Sequence, residues 1–331
     1  MITFHCIQSD CANHDAQLPE EAALKLSFRC FLCKSELVPP PVPLEKIIDF
    51  VDTLPASIQI MPKLQALLSD ANSSMPDIIG LIKTDASLVT GIVKASNSAY
   101  YAGSYYCSTI EDAMNRIGFS EAYNIIGYVA ASQLLQRDLP LYGISSNELW
   151  SSSVRGATAM QNIGSGIRML EPYVMPNSGV AYTVGLLRGV GRMLLNHYHE
   201  QNGIPALYNL EEPLDDEKET NLLGFTHKEA AAALLRKWRF QEEVTEPILH
   251  QDTPFACSEA RQLACLVKLV SDGILDLPFE ALIEEEPQDL RSSFRPDSGV
   301  AAALNISPKV LLEGLMSSAK EFQSFTRGLA S

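Results

Sequence analysis

Apolar positions recur at helical spacing over most of the chain. The segment LEKIIDFV places four apolar side chains on one face of a helix, at Leu44, Ile47, Ile48 and Val51. The same period predicts further helices at about 147–170, 180–199, 226–238, 241–251, 257–273 and 308–328. Alternating β-branched runs are scarce throughout, so the pattern favours an all-α fold.

Breaks in the pattern predict where several helices begin and end. Polar clusters at 70–74 and 84–85 divide the segment before residue 100 into several short helices. Ser108 and Glu111 have the spacing of a capping box, and Gly118 stands ten residues after Ser108 as a helix terminator. We therefore expect a helix from about Ser108 to Gly118, followed directly by another.

The first 43 residues have a different character, and they hold four of the seven cysteines. Cys6 and Cys11 form one pair, Cys30 and Cys33 form another, and eighteen residues separate the pairs. Two such pairs can offer four thiolates to one tetrahedral Zn²⁺. The flanking ITFHC and LSFRCFLC alternate enough to predict short strands. The segment is thus similar to a zinc ribbon, and it ends in the stiff sequence VPPPVP.

Two interpretations of this cysteine-bearing head stay open. The first pair is CxxxxC where a zinc ribbon normally has CxxC, and the glycine that usually follows is missing from both. His5 or His14 could replace one thiolate as a ligand. Alternatively, the head binds no metal and its reduced thiols pack against the helical domain. The other three cysteines stand in apolar helical contexts that predict core positions, at Cys107, Cys257 and Cys265.

Composition narrows the classes of function. A formal net charge of −15 argues against a broad nucleic-acid-binding surface, because phosphate contacts require a positive field. Much of the acidity lies in two runs, 211–219 and 284–289, which are typical of solvated loops. No apolar run approaches the ~20 residues of a membrane span, and the N-terminus lacks the pattern of a signal peptide. We expect a soluble, cytoplasmic protein with no membrane partner.

A series of motifs between Leu54 and about Asp272 carries a family resemblance. They are Leu54-Pro55, Pro62 before an apolar helix, the turn Asp85-Ala86, the signature Asn97-Ser98-Ala99-Tyr100, and the helix pair that begins at STIEDAMNRIG. Together they resemble the HD-related output domain family, HDOD. The resemblance covers about 200 residues and implies an HD-domain-like multi-helix bundle. It also implies a regulatory role in bacterial signal transduction, exerted through a protein partner.

The resemblance suggests four segments. They are a zinc-ribbon-like, β-rich head, a Pro-rich linker, the HDOD helical domain, and an acidic loop with a helical C-terminal extension, at 1–38, 39–43, 44–273 and 274–331. The fold class is all-α apart from the head.

The resemblance also identifies a lost metal site. Enzymatic HD relatives read Gly-Leu-Leu-His-Asp-Ile-Gly-Lys where this chain reads GLLRGVGR, so Arg188 replaces the family histidine and Gly189 the aspartate. A guanidinium has no lone pair for a metal, and glycine has no ligand atom. The vestigial positions are Ser152, Arg188, Gly189, His227, His250 and Asp272. The resemblance therefore implies a non-catalytic module with no cofactor in the helical domain.

The roles of the replacing residues stay open. Arg188 could fill the vacated position and pair with Asp272, lie on the surface, or contact a phosphate-bearing ligand. Gly185 and Gly189 lie at i and i+4, which would let another helix approach closely. We expect His227 to cap or hydrogen-bond within its own helix, and Asp272 to bond neighbouring backbone. His250 is expected in a packed turn.

Three functions follow in order of preference. The first is a protein-interaction scaffold that acts in signalling. The alternative is a nucleotide or cyclic-dinucleotide sensor that uses the vestigial pocket. A metal-dependent phosphohydrolase comes last, because three of the expected ligands are replaced.

Overall fold

The computed structural model describes residues 3–330 except 7, 9, 15, 36, 39–41, 51–59, 70–73, 99–100, 102, 104, 135–136, 169–177, 209, 211, 285–289 and 291–293. Two signature residues, Ala99 and Tyr100, lie outside the described residues, as does the Leu54-Pro55 motif. Within the described part, helices dominate and the one sheet lies near the N-terminus. The predicted fold class is confirmed. No described helix is both long enough and apolar enough to cross a bilayer.

The head contains three short antiparallel strands and one helix. Strand β1 (Thr3–Cys6) lies between β2 (Leu18–Pro19) and β3 (Leu37–Val38), and helix α1 spans Glu20–Lys25. The strand predicted across LSFRCFLC is wrong, since the chain turns there. Left-handed backbone at two consecutive residues, Ser27 and Phe28, makes that turn, with φ of 51° and 53°.

The rest of the described chain is built from helices. They are α2 Leu44–Asp49, α3 Ile60–Ser69, α4 Met75–Ile82, α5 Ala86–Ser96, α6 Ile110–Leu134, α7 Ser146–Arg168, α8 Ser178–Leu187, α9 Val190–Asn202, α10 Asp216–Leu223, α11 His227–Lys237, α12 Glu242–Leu249, α13 Arg261–Asp276, α14 Phe279–Glu284, α15 Ser298–Ala303 and α16 Pro308–Ala330.

Helix α6 begins one residue later than the predicted cap implies. Its first turn is capped by Thr109, whose Oγ1 accepts a hydrogen bond from Asp112 N at 3.1 Å, so the cap predicted at Ser108 is wrong. Gly118 lies within α6 at φ 75° and ψ 178°, a conformation outside the helical region. The predicted terminator thus bends the chain between two helical halves.

The helix predicted over 180–199 is divided in two. Helix α8 ends at Leu187 and α9 begins at Val190, so Arg188 and Gly189 form the turn between them. Gly189 has φ −96° and ψ 2°, away from the helical values.

Helix α7 lies at the centre of the bundle, where it packs against α8, α13 and α16. The inner face of α16 is fully buried, at Leu311, Leu312, Leu315 and Met316. Cys107, Cys257 and Cys265 are buried, which confirms their predicted core positions. Helix α13 continues past residue 273, where the extension is predicted to begin. The division into four segments stays a prediction.

Two glycines let helices meet at close range. A Cβ at Gly185 would lie 2.6 Å from Gly156 O, so α8 and α7 touch through their backbones. A Cβ at Gly191 would overlap His227 O and lie 2.9 Å from Ala231 N, so α9 lies equally close to α11. At Gly189 a Cβ would meet only Leu149 Cδ1, at 3.7 Å, an ordinary contact. The close approach predicted for Gly185 is confirmed, and the one for Gly189 is wrong.

Candidate functional site

A cavity of about 360 Å³ lies beside the turn between α8 and α9. Its walls come from α7, from that turn, from the loop after α12, and from α13. Four of the six predicted vestigial positions line it, namely Ser152, Arg188, Gly189 and Asp272. We call it the arginine pocket, because Arg155 and Arg192 line it together with Arg188.

Arg188 is held by backbone carbonyls rather than by a carboxylate. Its Nη1 donates to Gly185 O at 2.8 Å and its Nη2 donates to Ser152 O at 3.0 Å. The missing side chain at Gly156 leaves the space that the guanidinium occupies. Among the described residues Arg188 forms no ion pair, and Asp272 instead accepts hydrogen bonds from Lys268 Nζ at 2.7 and 2.8 Å. The structure therefore does not contain the Arg188–Asp272 pair, and the bond expected from Asp272 to backbone is replaced by this lysine contact.

Three arginines line the pocket, and two of them, Arg188 and Arg155, are largely removed from water. Burial lowers the pKa of Arg188 to about 10, and the nearby charges of Arg192 and Arg155 act in the same direction. Burial also lowers the pKa of Arg155, against the opposing effect of Glu280. Because an arginine with a pKa near 10 stays protonated at neutral pH, Arg188 keeps its charge.

Arg155 has one guanidinium nitrogen without a partner. Its Nε donates to Ser151 O at 3.4 Å, and its Cζ lies 4.8 Å above the centroid of the Phe279 ring. Its Nη1 is buried and forms no hydrogen bond among the described residues. The hydroxyl of Ser271, on the opposite wall, is buried without a partner too. An unpaired buried donor is unfavourable by ~1–3 kcal/mol, and by more when it is charged.

The acidic residues of the pocket are engaged by other groups. Asp252 accepts a hydrogen bond from Lys228 Nζ at 2.5 Å, and Asp272 is held by Lys268. Glu148 accepts from the amide and the hydroxyl of Ser145, at 3.0 and 2.7 Å. Burial opposes the ionised form of Asp252, but the hydrogen bond from Lys228 and the nearby charges of Lys228 and Lys268 together outweigh it, so its pKa is lowered. None of the three carboxylates forms an ion pair with a pocket arginine within the described chain.

His227 lies outside this pocket, in a buried polar network. Its amide N and ring Nδ1 lie 2.8 and 2.9 Å from Glu219 Oε2, and the Tyr142 hydroxyl donates to Glu219 Oε1 at 2.6 Å. The expectation that His227 bonds only within its own helix is wrong, because its partner is on α10. Although burial opposes a charged Glu219, these hydrogen bonds and the charge of His227 lower its pKa.

His250 also lies outside the pocket. It follows the last residue of α12, where its Nε2 lies 3.6 Å from a Glu246 carboxylate oxygen and its Nδ1 lies 3.5 Å from Thr253 Oγ1. The predicted turn position is confirmed. The structure thus brings Ser152, Arg188, Gly189 and Asp272 together and leaves the two histidines apart.

The arginine pocket does not fit a divalent metal. Its lining combines three arginines with carboxylates that already accept hydrogen bonds from lysines or from Ser145, and no histidine is among the described lining residues. Elsewhere in the described helical domain, Asp216, Glu219 and His227 place ligand atoms within 4.8 Å of one another. Their oxygens already accept hydrogen bonds from Tyr142, His227 and Lys228, so this cluster is a satisfied structural network.

The head does fit a metal. Cys6, Cys11, Cys30 and Cys33 place their sulfurs within 4.8 Å of one another, with Cys6 and Cys33 at 3.3 Å and Cys11 and Cys30 at 3.7 Å. Tetrahedral Zn²⁺ with Zn–S bonds of about 2.3 Å needs sulfurs about 3.8 Å apart. A hydrogen bond from Cys33 N contributes most to lowering the pKa of Cys30, to about 6, which favours its thiolate, whereas burial raises the pKa of Cys6 to about 12. The four cysteines would thus hold such an ion.

The histidines near the cysteines differ in role from the cysteines themselves. His14 Nδ1 lies 2.7 Å from Cys6 O, a hydrogen bond that occupies this nitrogen. The rings of His5 and His14 meet edge to face, with centroids 5.8 Å apart. Neither histidine belongs to the described group of candidate ligands, which consists of the four cysteines.

The described part of the family signature has a structural role. Asn97 Nδ2 donates to Val93 O at 2.9 Å and to Cys107 O at 2.8 Å, and its Oδ1 accepts from Cys107 N at 2.8 Å. Asn97 therefore joins the end of α5 to the chain ten residues later. Ser98 beside it is buried.

Sequence reasoning missed Arg155, Arg192, Asp252 and Ser271. Arg155 stands three residues after Ser152 and therefore shares its helix face, and Ser271 directly precedes Asp272. These spacings were the only sequence signal that the residues lie near the vestigial positions. The unpaired N–H donor of Arg155 is visible only in the three-dimensional structure.

The helical bundle with a pocket at the α8–α9 turn defines an HD-related domain. The HDOD domain family model matches residues 54–254, and the chain belongs to the HDOD family. An uncharacterized protein of Treponema pallidum (strain Nichols) is 26% identical over 258 residues, covering 76% of this chain and 48% of that protein. The chain thus spans about half the length of the curated relative that it matches.

Solved structures share the fold. A protein of Marinobacter aquaeolei VT8, provisionally named for signal transduction, superposes with a TM-score of 0.62 at 20% identity, covering 87% of this chain and 64% of that one. A provisionally named phosphohydrolase of Shewanella amazonensis SB2B gives 0.56 at 17% identity, over 87% and 97%. An HDOD domain protein of unknown function from Geobacter sulfurreducens gives 0.52 at 19%, over 83% and 87%. At these identities the likenesses show a shared helical fold.

Proposed function

We propose that this chain is a non-catalytic signal-transduction module that regulates a protein partner. The observation that carries the proposal is the guanidinium of Arg188 at the turn where HD enzymes are expected to place metal ligands. A fixed cation at this point repels a divalent metal ion, and Gly189 beside it supplies no ligand. The bundle around the turn is well packed by buried apolar side chains.

The proposal places the molecule in the cytoplasm, among protein components of a bacterial signalling pathway. The exposed surface and the head are available to such a partner, and the net charge of −15 disfavours nucleic acid. A partner is tested by cross-linking in the native cell, with the full chain compared to the chain that lacks residues 1–43. Loss of a reproducible cross-linked protein on removal of the head would assign the contact to the head.

Catalysis is tested directly on the purified full chain. We expect no hydrolysis of bis(p-nitrophenyl) phosphate or of cyclic dinucleotides above background with Mn²⁺, Mg²⁺ or Fe²⁺, because the pocket lacks a metal-binding donor set. His250→Ala and Asp272→Asn serve as matched variants at family positions. Metal-dependent turnover that both chelation and these substitutions abolish would contradict the proposal and favour a phosphohydrolase.

A second candidate is a sensor for a nucleotide or a cyclic dinucleotide. The observation that favours it is that three arginines line the arginine pocket without an ion pair among the described residues, while its acidic residues are engaged by lysines and a serine. Such a sensor would bind its ligand without hydrolysing it and would still act through a protein partner.

A further inference from the structure

Three guanidiniums meet in the arginine pocket, and although the charge of Glu280 acts on Arg155, the two form no ion pair among the described residues. Arg188 is satisfied by two carbonyls, Arg155 by one carbonyl and the face of Phe279, and Arg192 lies 5.8 Å from the centroid of the Tyr142 ring. None of the three forms an ion pair among the described residues. Carbonyl oxygens and ring faces orient a guanidinium, but they leave its full charge in place.

The unpartnered Nη1 of Arg155 points to a missing acceptor. The side chain is 91% buried, since only 9% of its surface is exposed, and it lines the cavity. Buried charged donors are almost always paired, because desolvating one without an acceptor is costly. The buried hydroxyl of Ser271 adds a second unused donor on the wall formed by α13.

The three carboxylates that line the pocket are poorly placed to fill this role. Asp252 and Asp272 would have to leave Lys228 and Lys268, which would exchange one unpaired cation for another. Glu148 would have to give up both of its bonds to Ser145 at the start of α7. Among the described residues that line the pocket, no carboxylate is therefore free to act as this acceptor.

We propose that the arginine pocket binds a small phosphate-bearing ligand, with Arg155, Arg188 and Arg192 on the phosphate oxygens and Ser271 as an additional donor. A guanidinium fork matches a phosphate in geometry as well as charge, and a dianion offers enough oxygens for several forks at once. The volume of about 360 Å³ lies in the range of small-ligand pockets. The inference rests on the non-catalytic function proposed above, since it assigns binding and no reaction to the pocket.

The mutual repulsion of the arginines supports this assignment. The charges of Arg192 and Arg155 both lower the pKa of Arg188, so both disfavour the charged form of this guanidinium. A bound anion reverses this relation, because it attracts all three.

The pocket also joins two parts of the chain. The family match ends at residue 254, whereas Ser271 lies on α13 and the ring beneath Arg155 belongs to Phe279 on α14. A ligand that contacts both walls would link α13 to the HDOD bundle. Its binding would then stabilise the position of the C-terminal helices as well.

Isothermal titration of the full chain tests the proposal, in a phosphate-free buffer of low ionic strength. The probes are inorganic phosphate, pyrophosphate and adenosine monophosphate. We expect saturable binding of at least one probe, weakened at least tenfold by Arg188→Met and by Arg155→Met. The matched control is Arg137→Met, at an exposed arginine outside the pocket, which should change affinity less than twofold.

Conservative variants guard against a folding defect. Arg188→Lys and Arg155→Lys keep the charge but lose the fork, so they should bind with intermediate affinity while their melting temperatures stay close to that of the wild type. Absence of binding by all three probes overturns the inference. Equal loss of affinity in Arg137→Met and Arg188→Met overturns it as well, because attraction would then be nonspecific.

Turnover separates this inference from the proposed function. Probe that is bound and recovered intact supports both. If a probe binds through the arginines and is hydrolysed, the phosphate site stands and the non-catalytic function fails. If no probe binds and no turnover occurs, the site fails while the non-catalytic function stands.

Discussion

The contact between α9 and α11 gives a sharp test of the packing, through Gly191→Ala. The new methyl group would overlap His227 O and lie 2.8 Å from His227 C and 2.9 Å from Ala231 N. These are backbone atoms of α11, so relief requires the two helices to move apart. Overpacking of this kind destabilises by ~1–3 kcal/mol, and a backbone clash belongs at the upper end. The higher helix propensity of alanine stabilises α9 by at most about 1 kcal/mol. The free energy of unfolding should therefore fall by about 2 kcal/mol in total.

Thermal unfolding measures this loss. For a domain of this size about 2 kcal/mol corresponds to a fall in melting temperature of roughly 4–8 °C. The fluorescence of Trp238, a buried residue directly after α11, reports on the same contact. The matched control is Gly80→Ala on the exposed face of α4, where a Cβ would meet nothing within 4 Å. It should melt at or above the wild-type temperature. If Gly191→Ala is as stable as this control, the close approach of α9 and α11 is refuted.

Three further predictions concern the buried network, the head and the signature. Glu219→Gln should destabilise by about 1.5–3 kcal/mol because it removes a charged acceptor, whereas Glu217→Gln on the exposed face should be neutral. Since the folded pKa of Glu219 is lowered, its stabilisation is present above the ordinary glutamate value of about 4.3 and is lost as pH falls through the folded value. Urea unfolding should therefore separate wild type from Glu219→Gln at pH 7 and not in strong acid; a constant difference contradicts the assignment. The purified chain should carry one equivalent of zinc by elemental analysis, which Cys30→Ser loses and Cys265→Ala keeps; zinc-free protein from non-chelating purification counts against the site. Asn97→Ala should lower stability by about 1–3 kcal/mol in the same urea assay, because it opens the link to Cys107, and an unchanged midpoint would contradict that role.

Local sequence was sufficient where a feature depends on neighbouring residues. The period of apolar residues predicts most helices within a few residues, because a helical face repeats every three or four positions. The break at Gly118 follows from the freedom of glycine to adopt positive φ. The four head cysteines were recognisable from spacing alone, and their convergence in the fold agrees with it.

Features that depend on contacts between distant helices could not be predicted from the sequence. The division at Arg188 and Gly189 follows from bonds that Arg188 makes to Ser152 O, 36 residues earlier. Helical spacing suggested Gly189 as a contact, but the closest approach to a second helix is made by Gly191, because α11 happens to cross there.

The amino-acid sequence by itself determined the helical class, the cysteine set, and the Arg-Gly pair at 188–189 where the family resemblance predicts metal ligands. These are properties of residue type and short-range order, which do not change when the chain folds. Only the tertiary structure decided that His227 binds Glu219 on another helix, and that Arg155 and Arg192 join Arg188 around one cavity. The physical reason is that desolvation and the pairing of charges depend on which surfaces come together, and that is settled by packing between elements far apart in the chain.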